Sequence, residues 1–250
     1  MLTQICSYCV ELNLLLGFNI KVNKDTQYWR ALHLAYAQDY FKTRKYLNKR
    51  KLVERHVFEV LQWATKTLDE NLIDGRHKKA LDVGCAYGYT SEVLTDLGYE
   101  TIGLDLSRYG TKQAKNYGKS EFLVCDAQSS LPFNPGEFDL VTCFDVLEHL
   151  RQPQVSLRKL FEISKGVIVC TTPNKKVEKP IRKLMRDYDE THVSVKTPKE
   201  WRDLLIGSFT FKELKVASFY DLAVRLGGKL FFKSFYVPTY GLTVRIVIRK

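Results

Sequence analysis

Between residues 26 and 74, apolar side chains recur at spacings of three and four. They are Tyr28, Leu32, Ala35, Tyr36, Tyr40 and Leu47, then Leu52, Val53, Val57, Val60, Leu61, Ala64 and Leu68. That period places them on one face of a helix, so one or two amphipathic helices are expected, ended by Gly75. From Ala80 the texture changes. Short strand-like runs at Ala80–Val83, Glu100–Leu104, Glu121–Cys125, Leu140–Phe144 and Gly166–Cys170 alternate with helical stretches at Tyr87–Leu97, Arg108–Tyr117 and Pro153–Ser164. Strands separated by helices predict a parallel sheet with right-handed crossovers. After Pro173 comes a basic segment, then a helix near Pro198–Ile206 and two more strand-like runs, Phe211–Ser218 and Leu242–Arg249. The expected fold is α/β: a Rossmann-like, seven-stranded, mostly parallel sheet flanked by helices. Residues 1–79 would form an N-terminal helical lid and residues 80–250 the main domain, the whole making one compact unit.

Composition narrows the class. Apolar content is 45% and charged content 27% over 250 residues, enough for a sizeable buried core. No apolar run reaches the roughly 18 residues of a membrane span. The most apolar N-terminal piece, Val10–Ile20, contains Glu11, Asn13 and Asn19 and has no basic region before it. A secretory signal is therefore not expected, and a cytoplasmic protein is the default. The net charge of +11 is uneven: +6 over residues 1–79, −4 over 80–174 and +9 over 175–250. Basic clusters stand at Lys42, Arg44, Lys45, Lys49, Arg50, Lys51 and Arg55, and at Lys175, Lys176, Lys179, Arg182, Lys183 and Arg186. They suit RNA or another anionic partner, or simply a solvated basic surface. Of six cysteines, Cys85, Cys125, Cys143 and Cys170 sit in or beside apolar runs, as small buried residues do. Cys6 and Cys9 form a lone C-x-x-C with no second pair and no nearby His, so no metal site is predicted.

The most informative stretch is "ALDVGCAYGYTSEVLTDLGYETIGLDLS", residues 80–107. A phosphate-binding P-loop needs a Lys and a hydroxyl directly after its last glycine, and here Gly88 is followed by Tyr89, Thr90 and Ser91. A dinucleotide loop wants G-x-G-x-x-G, and here Ala86 and Ser91 stand where two glycines would be. What remains is Asp82 before the turn and Asp105 at the end of the second strand, placed to accept from both hydroxyls of a ribose. An acidic strand end without phosphate machinery suits a nucleoside whose other end is cationic, and S-adenosylmethionine has that character.

At this point the chain resembles class I S-adenosylmethionine-dependent methyltransferases. "LDVGCAYGYTSEVL", "GLDLS", "VCDAQSSLPF" and "FDLVTCFDVLEHL" resemble four of their motifs, in order and in register over residues 80–150. The likeness is to the small-molecule branch with "LEHL" after the fourth strand. The resemblance implies that Gly84 and Gly88 let the backbone pass close to the methionine part of the cofactor, with Asp82 near its ammonium. It implies that Asp105 holds the ribose hydroxyls. Asp126 accepts from the adenine amino group, beside the Ala127 N–H. Asp145 lines the transfer cavity, and Cys85, Ala86, Leu106 and Phe144 complete the set. Cys85 and Ala86 depart from the more usual "GCGxG". Capping of turns at strand ends is the structural alternative for Asp82, Asp105 and Asp126.

Methyl transfer from a sulfonium is an in-line displacement whose leaving group the cofactor carries, so a base is required only if the acceptor must lose a proton. His149 in "LEHL" and His192 in "DETHVSVKTPKEW" are the candidates, with a buried, hydrogen-bonded histidine as the alternative for each. The acceptor expected from the resemblance is a small molecule. The absence of [DN]-P-P-[YF] after the fourth strand argues against base-amino methylation, and the absence of a Cys after Pro there argues against cytosine-C5 chemistry. A modified RNA and a non-catalytic cofactor-binding module stay open. Tyr28 and Trp29 resemble an aromatic pair at the lid of relatives. The amphipathic "LAVRLGGKLFFKSFYVP" is expected to cover the pocket, with contact to a membrane surface as the alternative.

Overall fold

The computed structural model describes residues 36–185 and 189–250. Tyr28, Trp29, Cys6 and Cys9 lie outside the described residues. The chain runs through α1 (Gln38–Thr43), a 3-10 turn (Tyr46–Lys49), α2 (Arg50–Leu68), β1 (Lys79–Val83), α3 (Tyr89–Asp96), β2 (Glu100–Asp105), α4 (Arg108–Tyr117) and β3 (Glu121–Val124). It continues with β4 (Phe138–Phe144), a 3-10 turn (Leu147–His149), α5 (Pro153–Ile163), β5 (Ser164–Pro173), α6 (Lys175–Met185), α7 (Pro198–Ser208), β6 (Glu213–Leu226), β7 (Lys229–Tyr236) and β8 (Thr243–Arg249).

The strands form one sheet in the order β3-β2-β1-β4-β5-β8-β6-β7. The first five are parallel, and β8, β6 and β7 join antiparallel. Period-two alternation sorts each central strand between two faces. Leu81, Val83, Val141, Cys143, Ile168 and Cys170 face one core, shared with Leu157 and Leu160 of α5 and Trp201 and Leu205 of α7. Ala80, Leu140, Val167, Val169 and Val247 face the other, filled by Val57, Val60, Leu61, Ala64 and Leu68 of α2. The spacing of those five α2 residues is the helical stripe read from the sequence. Fully burying each of the larger ones stabilises the fold by about 1.5–3 kcal/mol. α2 therefore packs as part of the sheet's own core, while α1 and the turn after it lie over the carboxyl ends of the strands.

The count of seven strands needs one correction. All seven expected strands are present, and β7 is an eighth. It lies in the segment expected to cover the pocket, yet none of residues 222–238 lines the cleft described below. Two local features explain the difference. Leu222, Val224 and Leu226 alternate with Ala223 and Arg225, which is strand periodicity. Gly227 and Gly228 both take positive φ (54° and 77°) and close a two-residue turn with Leu226 opposite Lys229. That is the turn chemistry of a tight hairpin. The segment leaves the sheet edge as a hairpin and exposes Leu226, Phe231 and Tyr236.

Strand order reverses at β1, which lies between β2 and β4. In an open α/β sheet a crevice opens outside the carboxyl ends of the strands at such a point.

Candidate functional site

The backbone leaves β1 through a turn with three left-handed residues: Gly84 (φ 76°), Ala86 (φ 48°) and Gly88 (φ 77°). A Cβ on Gly84 would overlap the Val146 side chain, and one on Gly88 would lie 2.8 Å from the Phe122 ring. Ala86 holds a conformation that glycine takes without strain. It is kept there by its own N–H, which donates to Asp105 Oδ2 at 2.7 Å. The Gly84 and Cys85 N–H groups both donate to the Leu104 carbonyl, at 2.7 and 3.0 Å. Ser107 N–H donates to Asp105 Oδ1 at 2.6 Å, so both carboxylate oxygens of Asp105 are oriented by backbone donors. Burial raises the Asp105 pKa above its ordinary value, against those two donors, which favour the anion. Asp126 Oδ1 accepts from Gln128 N–H at 2.8 Å. The turn-capping role weighed for Asp105 and Asp126 is present, and at Asp105 it leaves each oxygen with a further lone pair.

These turns line a cleft enclosing about 730 Å³ of space, part of it open to solvent. Gly84 and Ala86 contribute after β1, Asp105 and Leu106 after β2, Asp126 and Ala127 after β3, and Asp145 and His149 after β4. The opposite wall is aromatic: Tyr36, Tyr40, Phe41 and Tyr46. Sequence reasoning counted Tyr40 as a helix-face residue and passed over Phe41 and Tyr46. The signal was the dense aromatic text of "YAQDYFKTRKYL". Burial pushes Tyr36 up to about 12 and raises Tyr40 and Tyr46 as well, so all three phenols stay protonated. The cleft is lined by no Lys or Arg among the described residues.

Other expected site residues stand behind the lining. Asp82 is buried on the α2 side of the sheet and accepts from Ser91 Oγ at 2.7 Å and Thr142 Oγ1 at 3.1 Å. Burial raises it to about 6 despite those hydroxyls. Cys85 packs with Ala114 and Phe122, Gly88 caps α3, and the Phe144 ring lies 6.4 Å from that of His56.

The far end of the cleft is assembled from separate segments. His149 sits on the 3-10 turn after β4. The Val193 and Ser194 N–H groups donate to the Glu148 carbonyl, at 2.9 and 2.8 Å, and pin residues 189–194 against that turn. His149 Nδ1 contacts Thr191 Oγ1 at 2.9 Å and the Thr191 carbonyl at 3.3 Å, and Thr191 Oγ1 donates to Asp189 Oδ1 at 2.5 Å. His192 Nδ1 donates to Glu178 Oε1 at 2.8 Å. Arg44, just past α1, reaches across to Asp189 at 2.8 Å. The two imidazole rings meet edge to face, 4.7 Å apart. His192 is not part of the cleft lining, while one donor atom each of Glu148, His149 and His192 lies within 4.8 Å of the others. Burial, then the neighbouring His192, push His149 down to about 4, so it is neutral at pH 7.

The "T-P-x-x-W" text has a structural explanation. Thr197 and Glu200 form a reciprocal capping box around Pro198 at the start of α7. Trp201, fully buried, donates from Nε1 to Thr172 Oγ1 at 3.1 Å. Several residues of the basic clusters are engaged within the chain. Besides Arg44, Arg50 pairs with Glu92 and Glu54, and Lys175 pairs with Glu200.

Comparison with known proteins agrees with this fold. Residues 53–207 match the model of a family described as "Methyltransferase domain", which is well over half of the chain. The chain belongs to this methyltransferase family. A ubiquinone biosynthesis O-methyltransferase of Thiobacillus denitrificans is 40% identical over 81 residues, which is 30% of this chain and 35% of that protein. One of Idiomarina loihiensis is 34% identical over 117 residues, 44% of this chain and 48% of that protein. The chain thus spans between a third and a half of the length of these curated relatives. Among solved structures, an S-adenosylmethionine-dependent methyltransferase from Archaeoglobus fulgidus superposes with a TM-score of 0.64 at 18% identity, over 86% of this chain and all of that one. The magnesium protoporphyrin IX methyltransferase of Synechocystis, solved with S-adenosylhomocysteine, superposes with a TM-score of 0.58 at 15% identity, over 88% of this chain and 99% of that one. These likenesses show the fold.

Proposed function

We propose that the protein transfers a methyl group from S-adenosylmethionine to an oxygen, nitrogen or carbon nucleophile of a small-molecule acceptor. The observation that carries this reading is the chemistry of the cleft: three carboxylates at successive strand ends, Asp105, Asp126 and Asp145, and no Lys or Arg among the described lining residues. Such a donor set suits a ligand rich in hydroxyls and amines with a cationic end, and disfavours a pyrophosphate. The cofactor fits what is present. Asp105 would accept from the ribose hydroxyls through lone pairs left free by Ala86 and Ser107, and Asp126 would accept from the adenine amino group. Gly84 lets the methionine part approach the backbone. When bound, S-adenosylmethionine supplies an electrophilic methyl on a sulfonium that is its own leaving group. The chain's task is alignment and exclusion of water, which the aromatic wall of Tyr36, Tyr40, Phe41 and Tyr46 serves. His149 stands at the acceptor end. A pKa near 4 makes it a weak base at pH 7, so its contribution is better described as holding than as deprotonating. The relatives named as O-methyltransferases support the small-molecule acceptor.

The test uses tritiated-methyl S-adenosylmethionine with a host extract separated into RNA, protein and small-molecule fractions, and Asp126→Ala as control. Label in the small-molecule fraction, lost in the variant, is expected. Label confined to RNA would overturn the acceptor class, and cofactor binding without label in any fraction would count against catalysis.

A further inference from the structure

The two edges of the sheet differ. β3 closes one edge with 4 residues, whereas β7 closes the other with 8, Lys229–Tyr236. A long edge strand presents a row of unpaired N–H and C=O groups, and natural sheets blunt such an edge by keeping it short or with Pro, inward-pointing charges, a bulge or a covering element. β7 contains no Pro and no Asp or Glu, and its register with β6 runs without a shift from Phe219–Tyr236 to Leu226–Lys229. Among the described residues no strand pairs with its outer side. The phase of the ladder is fixed by the Val237 N–H, which donates to the Ser218 carbonyl at 2.9 Å. Antiparallel bonding alternates from there, so Phe235, Lys233 and Phe231 turn their backbone groups to β6, while Ser234, Phe232 and Leu230 turn theirs to the open edge. Side chains alternate as well. Lys229, Phe231, Lys233 and Phe235 stand exposed on one face, with Lys233 Nζ 5.4 Å from the centroid of the Phe235 ring.

We propose that β7 is a homodimer seam: two copies of this chain pair antiparallel along it, about a two-fold axis, and join their sheets into one. The text "KLFFKSF", residues 229–235, is self-complementary in that arrangement. Backbone groups that face the open edge must meet their like, so even-numbered residues pair with even-numbered ones and odd with odd. The longest ladder that keeps like charges apart centres on Phe232, opposite Phe232 of the partner subunit. Leu230 then lies opposite Ser234 of the partner subunit, Phe231 opposite Lys233 of the partner subunit, and Lys229 opposite Phe235 of the partner subunit. Every lysine meets an aromatic ring, which attracts its ammonium and packs along its methylene stem. A slip of the register by one step either way sets Lys229 against Lys233 of the partner subunit, or Lys233 against Lys233 of the partner subunit, and like charges directly opposite are destabilising. Larger slips shorten the ladder. A lipid or protein surface laid on the exposed face alone would leave the open backbone edge unpaired, whereas a second β7 satisfies it.

The experiment is sedimentation velocity on the full-length protein across a concentration series. A monomer–dimer equilibrium is expected, with the Leu230, Phe232 and Ser234 amides exchanging more slowly in the dimer. Leu230→Pro removes an edge N–H from both symmetric 230–234 pairs and leaves the β6 ladder intact, so it should weaken association by about 10-fold or more. Phe231→Lys sets ammonium groups face to face across the seam and should weaken it by about as much. Phe231→Glu instead sets a carboxylate against Lys233 of the partner subunit and should stay within about threefold of wild type. Thermal melts report whether each variant is folded. If Leu230→Pro does not fold, the two Phe231 variants, at an exposed position, decide. A monomer at every concentration, an assembly larger than two, a dimer indifferent to a folded Leu230→Pro, or equal weakening by Phe231→Lys and Phe231→Glu would overturn the seam. A monomer that binds anionic phospholipid vesicles would overturn it too, and would mark the exposed face as a lipid contact.

Discussion

The two ends of the cleft are built differently. At the Asp105 end, every important group comes from a turn directly after a strand, and the carboxylates are oriented by N–H groups 2 to 19 residues away. At the His149 end, the groups come from the turn after β4, from α6, from residues 189–192 and from Arg44, and His149 meets Thr191 across 42 residues of chain. The first end is a property of successive strand–turn units. The second exists only where distant segments dock. A change at the first end should be felt in ligand affinity, and a change at the second in local order.

Asp105→Asn breaks that comparison most directly. An Asn keeps one acceptor oxygen and turns an NH₂ toward a backbone N–H, so S-adenosylmethionine affinity should fall by about 100-fold, or ~3 kcal/mol. Calorimetry checks this, with protection of residues 189–194 in hydrogen exchange unchanged.

Asp82 gives the next effect. Its folded pKa, near 6, lies above the ordinary value of 3.8. Between those pH values the native state keeps a proton that the unfolded chain has lost, so this group lowers stability as pH rises from about 4 to 6, by ~3 kcal/mol at most. Asp82→Asn should remove that component. Denaturant melts across the window should show variant-minus-wild-type stability climbing with pH, and a flat difference would refute the buried carboxyl.

Arg44→Gln tests the docked end. Asp189 would lose a partner that is itself largely buried, at about 1–2 kcal/mol. Hydrogen exchange should quicken in 38–43 and 189–194 and stay unchanged in 84–88. Equal loosening at both ends would mean that they are one cooperative unit.

The smallest effect sharpens the turn. Ala86→Gly relieves a left-handed alanine, against the greater entropy of glycine in the unfolded chain, and should stabilise the protein by roughly 0.5–1 kcal/mol in a chemical melt.

How much was legible follows from the same contrast. The α2 stripe, the strands β1 to β5 and the helices between them were readable because burial imprints its period on the sequence. Asp105 and Asp126 were readable because strand-end turns keep their spacing in any chain that folds this way. The hairpin β6–β7 was misread as a pocket cover although its glycine pair and alternation were present, because amphipathic aromatic text reads equally as strand, lid or surface anchor. Glu148 was visible inside "LEHL", and its relation to His192 was not, since nothing local to either residue specifies the other. Asp82 sat at its motif position, yet the alternation of β1 turns it to the α2 face, where Ser91 and Thr142 hold it.

By itself the sequence determined the alternating strand and helix order, the glycine turn and the acidic strand ends, because each depends on interactions within a few residues or on one period of burial. Only the tertiary structure decided the eighth strand's place at the sheet edge, the aromatic wall over the cleft and the meeting of Glu148, His149 and His192. Those depend on which distant surfaces the packed core brings into contact, and a linear pattern carries no record of that.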